Sequence, residues 1–256
     1  MAARRLRHHA EVDILDDVRT YWEADAAGYD AVPSHHPADP GVRAAWAAAL
    51  ARHLPPPPAR VLDCGAGTGF LTLIAARLGH RVVSLDLSES MLARLRAKAA
   101  VEDLAVEVVV GAADQPPAGP FDAVIERHLL WTLPDPVHAL RAWRSVTPHG
   151  RLLSVEGIWG SADPAEKVRG WARTRTARLL GRHHDHHAPY PAHVLAQAPL
   201  ANRTTPASVV LAIEEAGWRG PLMERLSDVE WAIRLTLPAL LRALGVPPVF
   251  LVVASA

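Results

Sequence analysis

The chain holds a single cysteine, Cys64, in 256 residues. That excludes an intramolecular disulfide and suits a reducing, cytoplasmic setting. Long apolar runs are missing. None approaches the roughly 18 residues that a membrane-spanning helix needs, so no membrane partner is expected. The basic start, Met1 to His9, has no apolar stretch behind it, so no secretory leader is expected. An excess of charge is missing too. Lys plus Arg and Asp plus Glu both number 27, which leaves no broad basic field for nucleic acid.

What is present is a globular composition, 50% hydrophobic and 21% charged, at a length that suits one domain with a small addition. Helical patterning covers Glu11 to Ala27 and Asp39 to Leu54, with a loop at Pro33 to Pro37 between them. Pro55 to Pro58 cannot continue a helix and mark a stiff boundary. Residues 1–58 therefore read as an N-terminal helical cap, and 59–256 as the main domain. Beyond the boundary, short apolar runs alternate with amphipathic stretches. Strands are expected at Arg60–Cys64, Arg81–Leu87, Val106–Val110, Phe121–Glu126, Arg151–Val155, Leu222–Leu226 and Val249–Val253. Helices are expected between them, including Thr68–Leu78, Ser88–Ala100, Asp135–Val146, Pro206–Ala216 and Asp228–Leu244. This alternation predicts an α/β fold, a doubly wound parallel sheet covered on both faces. Residues 158–205 interrupt the rhythm as an insertion after the fifth strand.

The chemistry centres on Val61-Leu-Asp-Cys-Gly-Ala-Gly-Thr-Gly-Phe70. A glycine turn between a parallel strand and a helix makes a ligand site, because bare backbone lets a ligand approach closely. The spacing is G-x-G-x-G over Gly65, Gly67 and Gly69, with Phe70 where the dinucleotide fingerprint wants its third glycine. No Gly-Lys-Ser/Thr follows, which excludes a P-loop. Asp86 ends the second strand, where a carboxylate can accept from both hydroxyls of a ribose. The expected ligand carries a ribose and need not carry a pyrophosphate.

The glycine motif, the Asp86 position, Phe121-Asp-Ala-Val-Ile125 with Arg127-His-Leu-Leu-Trp131, and the strand–helix–strand ending together resemble the class I S-adenosylmethionine-dependent methyltransferases. Tyr21-Trp22-Glu23 with Tyr29-Asp30 is similar to the N-terminal segment of their small-molecule members. The resemblance implies a seven-stranded Rossmann-like sheet with its last strand antiparallel, and S-adenosyl-L-methionine as cofactor, released as S-adenosyl-L-homocysteine. It implies that Asp63, Gly65, Ala66, Gly67 and Gly69 hold the methionine part and that Asp86 binds the ribose. Leu87, Met91, Ala112 and Ala113 would flank the adenine, and Tyr21, Tyr29 and Arg127 would also contact cofactor. Where many members carry an acid that reads the adenine amino group, this chain has Ala112, with Asp114 two positions on.

Methyl transfer from a sulfonium is an in-line displacement that needs alignment, exclusion of water and, for a protonated nucleophile, a base. His128, just past the fourth strand, is the first candidate base, with Tyr29 as a second catalytic residue. The resemblance places His36, His128, Trp131, Trp159, His186, His187 and Tyr190 on the acceptor side. The histidine cluster 183–187 invites a metal reading, but adjacent side chains cannot easily converge on one ion, and no metal is expected. The implied function is methylation of a small molecule, in secondary metabolism, by a monomer or homodimer. The alternatives are an RNA or protein methyltransferase, or a cofactor-binding fold that has lost methyl transfer.

Overall fold

The structure, a computed structural model, describes residues 2–157, 164–181, 190–201 and 205–256. Trp159, His186, His187 and the rest of the histidine cluster lie outside these residues. A long helix, α1 (Ala2–Asp25), leads through a 3-10 turn (Tyr29–Ala31) to α2 (Pro40–His53). Asp39 caps α2 by accepting from the Val42 N–H at 2.9 Å, and Pro40 occupies the first turn, where its missing N–H costs nothing.

The α/β unit then runs β1 (Arg60–Cys64), α3 (Phe70–Arg77), β2 (Arg81–Asp86), α4 (Glu89–Val101), β3 (Val106–Val110), β4 (Ala123–Arg127), α5 (Pro136–Ser145) and β5 (Arg151–Gly157). After it come α6 (Pro164–Leu179), α7 (Ala192–Gln197), α8 (Pro206–Glu215), β6 (Arg219–Arg225), α9 (Ser227–Thr236), α10 (Ala239–Leu244) and β7 (Val249–Ser255). Ser88 and Asp135 cap α4 and α5 as side-chain acceptors. The single helix expected over Asp228–Leu244 is two, because Pro238 lacks the N–H to carry it on.

The seven strands form one sheet in the order β3-β2-β1-β4-β5-β7-β6. Strands β1 to β5 pair parallel, and β7 pairs antiparallel with both β5 and β6. This is the doubly wound, Rossmann-like arrangement that the sequence predicts, with the last strand antiparallel. The order reverses between β1 and β4, and in such sheets ligands bind at the carboxyl ends of the strands beside that reversal.

Alternate residues of each strand feed two cores. Leu62, Cys64, Val124 and Leu152 face α5 and α8, around the fully buried Trp143. Val61, Ile125, Leu153 and Leu251 face α2, α3 and α9. Helix α2 thus belongs to the sheet's own covering layer through Trp46 and Leu50, whereas α1 packs on α4 and α7. Cys64 is fully buried at the end of β1, and burial pushes its thiol well up. No described helix is long and apolar enough to cross a membrane.

Candidate functional site

A cleft of about 820 Å³, part of it open to solvent, lies at the carboxyl ends of β1, β2 and β4. Its floor is Gly65 and Gly67, with Asp86, Leu87 and Met91 on one side and Gly111 to Ala113 beyond them. Arg127, His128 and Leu129 form the opposite wall, and Leu15, Val18, Trp22 and Tyr29 close over the top.

The glycines have separate reasons. Gly65 and Gly69 hold φ of 65° and 91°, and a Cβ at either would strike Leu129 or Leu95. Gly67 also has a positive φ, 54°, but nothing lies within 4 Å of where its Cβ would be. It keeps the cleft floor bare for a ligand. Asp86 accepts from the Gly67 N–H at 2.7 Å and the Ser88 N–H at 2.8 Å, which fixes its carboxylate at the end of β2. Burial raises its pKa, and those amide bonds oppose the rise.

Asp63 does not reach the cleft wall. Its side chain points under α3 and accepts from the Thr72 hydroxyl at 2.6 Å, with Ser84 2.8 Å from the same hydroxyl. Burial pushes Asp63 up to about 7. Ala66, Gly69 and Tyr21 also stand behind the lining residues. Tyr21 packs edge-on against Trp22 and Tyr190, and Tyr190 against Trp131, so these aromatics form a second layer around the cleft. His36 is exposed. Its neighbour His35 stacks on Tyr29, with centroids 3.9 Å apart and planes 13° apart.

Arg127 is seated on the α2–α3 side. Its guanidinium lies 4.1 Å from the Phe70 centroid and donates to the Ser34 carbonyl at 2.9 Å. His128 has the unusual φ of 59°. Burial, with Arg127 and His35 nearby, holds its pKa well below the ordinary histidine value, so the imidazole is neutral at pH 7.

Two buried acids beside this wall, Glu126 and Glu156, are not among the residues that the sequence analysis predicts for the site. Glu126 accepts from the Ser154 hydroxyl and, at 3.1 Å, from the Leu129 N–H. Burial pushes it up to about 7. The signal was available, since each is an acid near the end of an apolar strand, as Asp63 and Asp86 are. The N-terminal segment is latched down by Asp30, which accepts from Thr68 Oγ1 at 2.6 Å and pairs with Lys98 at 2.9 Å. Glu23 adds a contact to the Ser90 N–H at 3.1 Å.

These residues fit the nucleoside donor. The bare Gly67 floor admits a ligand, Asp86 is placed for two hydroxyls, and Leu85, Leu87 and Met91 offer apolar surface for a base. Ala112 lines the cleft with no acid to read an exocyclic amine, and Asp114 is not among the lining residues.

Comparison with known proteins agrees with this geometry. Residues 62–154 match the family model described as a methyltransferase domain. A ubiquinone biosynthesis O-methyltransferase from Xanthomonas campestris pv. campestris is 36% identical over 107 residues, 40% of this chain. The chain spans only 44% of that relative's length. Among solved structures, the complex of the Haloferax volcanii Trm112 methyltransferase activator with a methyltransferase matches at a TM-score of 0.61 and 20% identity, covering 93% of this chain and 97% of that one. Haemonchus contortus phosphoethanolamine N-methyltransferase 2, in complex with phosphomonomethylethanolamine and S-adenosylhomocysteine, matches at 0.62 and 16%, covering 94% and 60%. At such identities the two structures speak for the fold alone. The central segment thus matches a methyltransferase domain, and the strand order and glycine-floored cleft around it are those of the class I S-adenosylmethionine-dependent methyltransferase fold.

Proposed function

We propose that this protein transfers the methyl group of S-adenosylmethionine to a small-molecule acceptor. One observation carries the reading: a single cleft joins a nucleoside-sized floor at Gly65, Gly67 and Asp86 to a wall of Tyr29, Arg127 and His128. When bound, the donor supplies an electrophilic methyl on a good leaving group. The chain then has to hold and align it. Asp86 would accept from the ribose, Leu87 and Met91 would pack against the adenine, and the Gly65–Gly67 backbone with the Arg127 cation would hold the amino-acid end. The α1 residues Leu15, Val18 and Trp22 narrow the mouth, which favours a small acceptor over a folded macromolecular surface. The relative named for ubiquinone biosynthesis O-methylation supports the same class.

Calorimetric titration with S-adenosylmethionine, and separately with NAD, tests the reading. Binding of the first and not the second is expected. Binding of NAD alone would remove the methyltransferase assignment. Binding without release of S-adenosylhomocysteine across an acceptor screen would favour a fold that has lost transfer.

A further inference from the structure

The turn after β4 is held more tightly than a connecting loop requires. His128 sits in the left-handed region at φ 59°, a conformation that costs a non-glycine residue about 1–2 kcal/mol and persists where its surroundings enforce it. The enforcement is visible. The His128 N–H donates to the Val155 carbonyl at 3.0 Å, which ties the turn to β5, and Glu126 holds the next amide, that of Leu129. The result sets the imidazole against the residue after Val155. His128 Nδ1 is 3.5 Å from Glu156 Oε2, and the Glu156 side chain is 4% exposed. Along β5, alternation puts Glu156 on the same face as Ser154, beside Glu126.

We propose that Glu156 is a positioning residue whose carboxylate holds His128 with its proton on Nδ1 and turns the Nε2 lone pair to the cleft. The chemical meaning rests on the methyltransferase reading. An acceptor that arrives as O–H would give its proton to Nε2 and keep the electron pair on oxygen as the nucleophile. A cationic amine would instead meet the half-buried Arg127 guanidinium, so a hydroxyl is the acceptor group that this wall suits. The charges facing the imidazole oppose one another. Arg127 and His35 disfavour an imidazolium, whereas the Glu156 carboxylate offsets them at the moment the proton arrives. The 3.5 Å separation is longer than a good hydrogen bond, as catalytic contacts often are before a ligand tightens them.

Nitrogen-15 NMR of histidine-labelled protein tests this without any acceptor. His128 is assigned by loss of its signals in His128→Gln. The neutral ring should carry its proton on Nδ1. Glu156→Gln, which keeps size and removes charge, should lower the His128 titration midpoint by about one pH unit, a tenfold loss of proton affinity. A proton on Nε2 in the wild type would overturn the proposal, and so would an unmoved midpoint in the variant. Titration with S-adenosylmethionine is read separately. An Nδ1 proton in a protein that binds no donor would leave the dyad standing and remove the methyltransferase reading.

Discussion

The two ends of the cleft are built from different materials. The proposed donor end is made of backbone: Gly65 and Gly67 leave the cleft floor bare, and Asp86 is fixed by two amides. The proposed acceptor end is made of side chains that converge from far apart, with Trp22 and Tyr29 from the N-terminal segment and Arg127 and His128 from the end of β4. A backbone-built site needs particular residues at particular spacings, because only glycine takes those turns. A side-chain-built site needs only that the fold bring its members together. That leaves the acceptor end free to change while the donor end stays fixed.

The sharpest way to break this comparison is to add one carbon at two neighbouring glycines. Gly69→Ala places a Cβ 2.2 Å from Cδ1 of the fully buried Leu95, at a φ of 91°. The positive φ and the overpacking should together cost about 2–4 kcal/mol of stability, read as a lower urea midpoint. Gly67→Ala meets open space. It should lose only about 1 kcal/mol of stability, but should lower donor affinity by more. Equal losses in both variants would mean that the loop serves the fold alone.

Asp86→Ala comes next. Losing hydrogen bonds to a charged acceptor should weaken S-adenosylmethionine binding by about 1–3 kcal/mol in calorimetry. An unchanged affinity would take the ribose away from Asp86.

A last test sets the two ends against each other through their buried acids. Burial raises Asp63 from 3.8 and Glu126 from 4.5, each to about 7. Between about pH 4 and 7 the native state therefore holds protons that the unfolded chain has released. The slope is negative: this stability is complete below the unfolded pKa and fades as pH rises through the folded one. Asp63→Asn and Glu126→Gln should each flatten part of that slope across the window. Parallel slopes in wild type and variants, measured by urea denaturation at several pH values, would show that neither acid is protonated in the native state.

The difference in materials also explains what the sequence made legible. Strand–helix alternation and the glycine spacing are local, so the sheet and the donor end could be read directly. Pro238 divides the one helix that periodicity predicts, because a single residue without an N–H leaves the apolar spacing unchanged. Asp63 looked like a ligand contact since it adjoins the glycines. Strand alternation instead turns it under α3 to Thr72. His35, not the expected His36, stacks on Tyr29, because the direction of a loop side chain has no sequence period. Glu156 is legible as an acid near the end of an apolar strand, but its pairing is not, because that depends on the φ of His128, a residue on another strand's turn.

Cys64 gives the molecule a built-in reporter. It is the sole thiol in the chain, fully buried, and it directly precedes the Gly65 floor of the cleft. A thiol reagent can reach it only when the middle of the sheet opens. Labelling kinetics under conditions of fast reclosing then count the opening of the site itself, with no tag or engineered probe. A donor that binds the closed form slows that count by the factor with which it populates the site. A series of chromatograms of modified against unmodified protein, one for each donor concentration, would thus serve as a binding isotherm.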